Sequence, residues 1–443
     1  MRRTARLLLF YQQRTAGGFT RRQQAYSTSA ARGITLLEHM KTAAHDRPQT
    51  SFRLRLQRFR SYCVPKSWSP SGFFLKKNPR CTETGNGYNN CGTALARLVC
   101  ALTAFAAFAF CFLLAPQWIR AQASPPAGQL RIYSIDVEGG QSTLLVGPSG
   151  SSLLVDTGWP GNNGRDAERI LAAMHDAGIK RIDHVLITHF HDDHVGGVPE
   201  LVAHVEVGEF LDHGVNREDA DDTRNNYAIY LKAIAGHRRR IVHPGDTIPI
   251  DGLSVVVLTA DGEHIGAIPG IAPAPNPWCA REHAWPDDPT ENARSAGILV
   301  TFGKFKFLDL GDLTGKKEVA LVCPNNPIGT IDLYLVTHHG MDWSNSRAIV
   351  NAVHPRAAIM NNGAHKAGMP AAWQIVHDSP GLIDLWQLHT AEGSDAAHNS
   401  PEALIANPKG DGDGHALKVV ALPDGSFSVT NTRTGQTKQY PPN

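Results

Sequence analysis

Short apolar runs separated by turn-forming clusters begin at residue 130 and set the rhythm of the chain. Leu130-Arg131-Ile132-Tyr133-Ser134-Ile135, Ser142-Thr143-Leu144-Leu145-Val146 and Ser152-Leu153-Leu154-Val155 are interrupted by Glu138-Gly139-Gly140 and Pro148-Ser149-Gly150. That spacing and turn chemistry predict three consecutive antiparallel strands. Residues 166–177 switch to a helical period, with Ile170, Leu171 and Met174 on one face and Gly178 as the stop. The second half repeats the strand pattern at 253–258, 297–302, 304–308 and 331–336. A hairpin is predicted near the end, from 417–422 and 426–430 joined by Pro423-Asp424-Gly425.

The exits of these strands carry the chemistry. His184-Val185-Leu186-Ile187 runs into Thr188-His189-Phe190-His191-Asp192-Asp193-His194, residues 304–308 run into Asp309-Leu310-Gly311-Asp312, and 331–336 into Thr337-His338-His339-Gly340. On an extended exit His189 and His191 point the same way, because side chains repeat every two residues, so their nitrogens can share one ion. Asp193 and His194 fall where Val195-Gly196-Gly197 begins the next element, on the opposite side of the cavity. Imidazoles with a carboxylate suit a borderline divalent ion, zinc first, with manganese or iron as alternatives. Three strand ends bringing Asp or His together are what a metal site between two sheets requires.

Composition divides the chain. Residues 1–123 contain 19 Lys+Arg against 3 Asp+Glu, leaving 24 basic and 38 acidic residues in the remainder, so the total of +2 hides two dissimilar segments. Residues 1–92 read as a basic leader without a fold, either an organelle transit peptide at its start or a mistranslated upstream region. The apolar run 98–115 after Arg97, with an A-x-A site at Ala121-Gln122-Ala123, predicts a secretory signal over 93–123; an uncleaved single membrane anchor is the alternative. Residues 124–129 read as a linker, and the folded domain is expected over 130–435, outside the cytoplasm. Of seven cysteines only Cys279 and Cys323 lie in that domain; they can pair, without amounting to a disulfide framework.

Asp156 in Asp-Thr-Gly, the HxHxDH run, Asp312 in Gly-Asp and His338-His339-Gly340 together resemble the metallo-β-lactamase superfamily of hydrolases. Over about 130–363 the motif order is most similar to the hydrolase domain of the competence protein ComEC and its free-standing relatives. Ile135-Asp136-Val137-Glu138-Gly139-Gly140-Gln141 stands where that group has a Gly-Gln-Gly-Asp turn, and His338-His339-Gly340 with Ser344 and Ser346 resembles its His-His-Gly-Ser stretch. The resemblance implies an α/β fold, a four-layer αβ/βα sandwich of two mixed sheets. It implies two divalent ions, the first on His189 and His191, the second on Asp193, His194 and His339, with Asp312 bridging them. His338 then faces the substrate, aiding a leaving group or an anionic oxygen, although the order of the two histidines can be reversed. By the same resemblance Asp156 orients ligands without binding metal, and Asp309 is local structure.

Two departures from the family pattern bear on the site. Many members with two ions have a further histidine before the strand leading to Gly-Asp, where this chain has Glu291-Asn292. The substitutes are Glu291 as an oxygen ligand, Asn292 holding a water, or His264 or His283 reaching in from the Pro-rich segment. Gln141 stands where the competence domain has aspartate, which alters the charge of the site. The implied mechanism is attack by water whose pKa falls from 15.7 to about 7 on a divalent ion, held by Asp193 or Asp312. No Gly-x-Ser-x-Gly, Walker or GxGxxG motif competes with it.

Charge narrows the substrate. The acidic domain has no general basic footprint for extended nucleic acid, and His237-Arg238-Arg239-Arg240 reads as a solvated helix end. A small-molecule ester, lactone or phosphoester is expected; a catalytically degraded metal-binding or scaffolding protein is the alternative. Trp278, Trp285 and Cys279 are candidates for a cleft wall, Trp343 and Trp373 for core, and Met360-Asn361-Asn362-Gly363 for a turn at the cleft rim. Nothing in the pattern specifies an oligomer.

Overall fold

The computed structural model describes residues 128–410 and 414–443. The leader, the signal or anchor over 93–123 and linker residues 124–127 lie outside the described residues. The first half supplies β1 (Leu130–Ser134), β2 (Thr143–Val146), β3 (Ser152–Val155), helix α1 (Arg165–Ala177), β4 (Arg181–Leu186), the short helices α2 (Asp192–Val195) and α3 (Val198–Val202), β5 (Glu206–Asp212), α4 (Asp221–Ala233) and β6 (Arg239–Ile241). The second supplies β7 (Ser254–Ala260), β8 (Glu263–His264), β9 (Ala274–Pro275), β10 (Gly297–Phe302), β11 (Phe305–Asp309), α5 (Gly315–Val322), β12 (Asn325–Asn326), β13 (Leu333–Leu335), α6 (Arg347–Val353), β14 (Ala357–Met360), α7 (Pro370–His377), β15 (Asp384–His389) and β16 (Ile405–Asn407). The chain ends in β17 (Leu417–Ala421), β18 (Phe427–Asn431) and β19 (Thr437–Tyr440).

Two large mixed sheets result. One has the order β19-β18-β17-β1-β2-β3-β4-β5-β6, the other β16-β15-β14-β13-β11-β10-β7-β8. In each, antiparallel pairs pass into parallel ones: β1, β2 and β3 pair antiparallel before β3, β4, β5 and β6 run parallel. Likewise β7, β10 and β11 are antiparallel, then β11, β13, β14, β15 and β16 are parallel. Parallel strands need helical crossovers, which cover the outer face of each sheet.

Three apolar clusters identify the layers. Leu145, Leu153, Val255, Ile298 and Phe307 from both sheets form the central one. Ile170, Met174, Val185 and Tyr230 join α1 and α4 to the outside of the first sheet. Leu321, Ile349, Trp373 and Tyr334 do the same for α5, α6 and α7 on the second. The expected four-layer sandwich is therefore the observed one, and strands covered on both faces explain why their sequences are continuous apolar runs.

The structure differs from the sequence expectation in two outer places. The predicted C-terminal hairpin is a three-stranded unit whose last strand buries Tyr440; the Tyr440 hydroxyl donates to Asp384 (2.5 Å) and accepts from Trp386 Nε1 (2.9 Å). Arg238 to Arg240 do not form a solvated helix end: Arg239 opens β6 and pairs with the buried Asp212 at 2.7 Å, while Arg238 and Arg240 approach Glu209 at 3.4 and 3.5 Å. Those carboxylates lie on β5, a strand absent from the expected elements. Among the described residues no helix is long and apolar enough to cross a membrane.

Cys279 and Cys323 are bonded to one another, closing a loop with a sequence separation of 44. The bond ties the 3₁₀ turn Pro277–Arg281 to the end of α5. Loop-closure entropy of that size is worth roughly 3–4 kcal/mol. Cys279→Ser is expected to lower the midpoint of thermal unfolding by several degrees, and reductant should do the same to the wild type but not to the variant.

Candidate metal centre

The predicted metal ligands of the family motifs, His338 and Asp156 leave the ends of strands, whereas Glu291 and Asn292 lie in the 3₁₀ turn Glu291–Arg294 before β10. Asp156 follows β3, the HxHxDH run follows β4, Asp312 follows β11 and His338-His339 follow β13. Asp156 is in the left-handed region (φ 60°), as are His338 (φ 56°) and His339 (φ 55°). Non-glycine residues seldom take this conformation, and such strain clusters where a side chain must be aimed. The backbone turns are pinned by His338 N donating to Gly311 O (3.0 Å) and Ala296 N to Thr188 O (2.9 Å). Gly197 is required beside the Asp156 turn, because a Cβ there would lie 2.2 Å from Thr157 O.

Asp193, His194, Asp312 and His339 offer ligand atoms within 4.8 Å of one another, all buried. His194 Nε2 lies 3.1 Å from His339 Nε2, 3.3 Å from Asp193 Oδ2 and 3.2 Å from Asp312 Oδ2. His339 Nε2 lies 3.3 Å from Asp193 Oδ2 and 3.3 Å from Asp312 Oδ1. A tetrahedron of ligands about 2.0 Å from a central ion has edges of about 3.3 Å. The quartet fits such an ion.

Beside it, His189 Nε2 and His191 Nδ1 converge at 3.0 Å, as the alternation of an extended exit predicts. His189 Nε2 is 4.0 Å from Asp312 Oδ2, so this carboxylate reaches toward both groups. Asp312 Oδ1 is a buried acceptor with no hydrogen bond, a second sign that a cation belongs here; Asn292 Oδ1, in the turn before β10, is another buried acceptor without a partner. Together these donors suffice for two ions. His338 is not one of the four, although its Nε2 is 3.3 Å from Asp312 Oδ2; Ser344 Oγ (3.1 Å) holds its Nδ1, and Trp343 Nε1 lies 3.0 Å from Nδ1 and 3.3 Å from Nε2.

Electrostatics favour positive charge at the centre of the quartet. Burial raises the cost of every charge there, yet His194, His338 and His339 hold the Asp312 carboxyl well below its usual range. Burial likewise opposes ionisation of Asp193, but Lys366 and His194 hold it well below that range. Against the effect of burial, Asp312, Asp193 and Asp156 push His194 well above the ordinary imidazole value. Burial and the imidazoles of His194 and His191 depress His189, and burial takes His338 down to about 3.

Asp156 lies behind the ligands. It accepts from Thr188 N (2.8 Å) and Thr188 Oγ1 (2.7 Å), and its Oδ2 holds His194 Nδ1 at 2.7 Å, which leaves Nε2 facing the quartet. Asp309 is structural: Gln141 Nε2 donates to both its oxygens (3.1 and 3.0 Å), and burial pushes its carboxyl up to about 7. The Gln141 side chain thus contacts Asp309, while its backbone N donates to Asp193 O (3.1 Å).

The substitutes proposed for the missing histidine fare differently. Glu291 is buried with both oxygens engaged: Oε2 lies 2.8 Å from His213 Nε2 and accepts from Phe190 N (3.3 Å), and Oε1 accepts from Arg217 N (2.6 Å). His283 is exposed beside Trp285, and exposed His264 contacts the carbonyl of Ile265. Asn292 remains, with its unpaired oxygen. Trp343 was expected in the core but is 50% exposed at the rim beside His338, whereas Trp373 is buried. Trp285 packs on Gly315 at the start of α5, and Trp278 stacks with Arg281.

Three residues escaped the sequence reading. Glu218, from the loop after β5, holds His191 Nε2 at 2.9 Å and accepts from Glu291 N at 3.1 Å. Lys366 contacts Asp193. His389, at the end of β15, forms a second cluster with Asp136 and Glu138. There His389 Nε2 meets Asp136 Oδ1 at 2.8 Å, and Arg169 meets Asp136 and Glu138 at 3.1 and 3.2 Å. No local motif flags Glu218 or His389; the Asn-Asn-Gly turn that precedes Lys366 was the available signal.

The sequence profile of the metallo-beta-lactamase superfamily matches residues 136–277. With the layered fold and the clustered donors, this shows a metallo-β-lactamase superfamily hydrolase fold. Within it the chain has a weak resemblance to ComEC- and ComE-related proteins. It is 27% identical to Recombination protein 2 of Haemophilus influenzae over 244 residues, 55% of this chain and 25% of that one. It is 23% identical to ComE operon protein 3 of Bacillus subtilis over 215 residues, 48% of this chain and 23% of that one. The chain thus spans about a quarter of the length of these curated relatives. Among solved structures, the metallo-beta-lactamase fold protein YhfI from Bacillus subtilis aligns over 58% of this chain and 95% of its own, with a TM-score of 0.34 and 10% identity.

Proposed function

We propose that this protein is a metal-dependent hydrolase of a small-molecule ester, lactone or phosphoester. The observation that carries the proposal is the buried quartet Asp193, His194, Asp312 and His339, whose spacing fits one ion and whose field favours one. These residues hold that ion, zinc being the best match to their chemistry. His189 and His191 would hold a second, with Asp312 within reach of both groups and Asn292 the candidate further ligand. When bound, such a pair supplies an acidified water and Lewis acidity toward the ester oxygen.

The protein groups divide the remaining work. Asp156 and Glu218 fix the orientation of His194 and His191 through the ring nitrogens that face away from the donor clusters. Asp193 positions the attacking water. His338, held by Ser344 at Nδ1 and approached by Trp343 Nε1 along its ring edge, presents Nε2 toward an anionic oxygen of the substrate. The intact donor set favours this reading over a degraded scaffold. The disulfide supports placing the domain, from about residue 130, in an oxidising extracytoplasmic compartment.

The test is metal content by mass spectrometry together with turnover of phosphodiester, lactone and simple ester substrates. About two ions per chain are expected, with activity lost on chelation and restored by zinc, manganese or iron. Only trace metal after purification and after reconstitution, or full activity in Asp193→Ala, overturns the proposal.

A further inference from the structure

We propose that Lys366 is the anion-recognising residue of this site, and that the ester hydrolysed here carries a fixed negative charge, phosphate or carboxylate, near its scissile bond. The inference rests on the hydrolase reading above and narrows its substrate.

Lys366 is delivered to the quartet by a loop whose base is tied down. Gly363 N donates to Lys366 O (3.0 Å), Gly368 N to His339 O (3.1 Å), Met369 N to Gly340 O (2.8 Å), and Glu392 N to Ala364 O (2.9 Å). The approach is close at Gly363, where a Cβ would lie 2.8 Å from the carbonyl of Glu138. The Lys366 ammonium contacts Asp193 and lies 4.5 Å from the centre of the Trp159 ring. Its side chain is 35% exposed, whereas the Asp193 side chain is 7% exposed. The residue therefore stands at the border between the buried donors and solvent, with its ammonium on the Asp193 side.

Asp193 is also within 3.3 Å of His194 Nε2 and His339 Nε2, so its carboxylate is committed to the quartet. With divalent charge in the quartet, Asp193 is neutralised from inside, and the ammonium gains more from an incoming oxyanion than from that carboxylate. A long flexible lysine can transfer from one oxygen to the other without movement of the loop, and Trp159 supplies an aromatic face along the way. His338 Nε2, 3.3 Å from Asp312 Oδ2, is a further polar group of the site.

The experiment uses the metal-loaded protein and three esters sharing one leaving group: a phosphodiester, an ester bearing a carboxylate, and a neutral ester. A charge-assisted hydrogen bond predicts that Lys366→Ala lowers the ratio of kcat/KM for an anionic to the neutral ester by about 10–100-fold, chiefly through KM. Lys366→Arg should restore most of that ratio. Which anionic ester suffers the loss tells phosphate from carboxylate. Independently of turnover, calorimetric binding of inorganic phosphate or acetate to the same protein should weaken by at least about 10-fold in Lys366→Ala, with metal content unchanged. Equal losses on charged and neutral esters, unaltered anion binding, or loss of metal from Lys366→Ala would overturn the assignment and leave the residue a structural partner of Asp193. A wild type with neither metal nor turnover would instead defeat the hydrolase reading; metal and Lys366-dependent anion binding without ester turnover would defeat only the reaction.

Discussion

Asp312→Ala is expected to empty the whole centre and to reduce hydrolysis by at least about 10³-fold, because several kcal/mol of transition-state stabilisation depend on the ions it shares. Asp312 is the carboxylate that His189, His194, His338 and His339 all approach, at 4.0, 3.2, 3.3 and 3.3 Å. Removing it leaves four imidazoles around a cavity whose only other nearby carboxylate in the quartet is Asp193, already in contact with Lys366. Metal analysis, initial rates and circular dichroism on the same preparation check the prediction. A folded variant that keeps two ions would show that Asp312 bridges nothing.

Asp156→Asn is expected to cost metal rather than fold. The carboxylate accepts from Thr188 N and Thr188 Oγ1 and faces His194 Nδ1, in a fully buried position. An amide keeps one acceptor oxygen for Thr188 but turns its NH₂ toward His194 Nδ1. The imidazole proton is then driven to Nε2, the atom that faces Asp193, Asp312 and His339. Affinity for the ion should fall roughly 10–100-fold, the usual effect of losing a group that orients a ligand. Asp156→Ala also leaves the Thr188 donors and His194 without partners, costing about 3 kcal/mol or more of stability. Competition with a metal-sensitive dye, alongside thermal unfolding, separates the two variants; equal metal affinity in Asp156→Asn and the wild type would refute the orienting role.

Much of the centre was legible because its donors are close together in sequence or sit directly after recognisable strands. HxHxDH puts two imidazoles on one side of an extended segment and the next pair on a nascent helix, a consequence of local periodicity alone. The exits of β11 and β13 were legible for the same reason. The illegible part comes from loops that have no periodicity. Glu218 is placed by the fold of the segment after β5, a strand that no local pattern announces, and reaches His191 across 27 positions. Glu291 occupies the position of the family's further histidine in the chain; that its carboxylate accepts from Phe190 N and Arg217 N could not be read locally, because those donors lie within reach only once β5 and its loop are placed.

Trp343 and the arginine run were hidden for a related reason at the surface. Large aromatic residues are usually buried, yet Trp343 stands half exposed because the left-handed turn at His338 and His339 carries the following residues to the rim. Arg239 looked solvated because its partner, Asp212, is 27 residues away on the neighbouring strand.

By itself the sequence determined the strand and helix alternation, the α/β class, and the three motifs that carry His189, His191, Asp193, His194, Asp312 and His339. Those arise from side-chain period, turn chemistry and short-range spacing. Only the tertiary structure decided that His339 rather than His338 completes the quartet, that Asn292 and not Glu291 is left with a free oxygen, and that Lys366 stands over Asp193. Each of these depends on where two strands distant in the chain end relative to one another, and that is set by the packing of both sheets on their shared core.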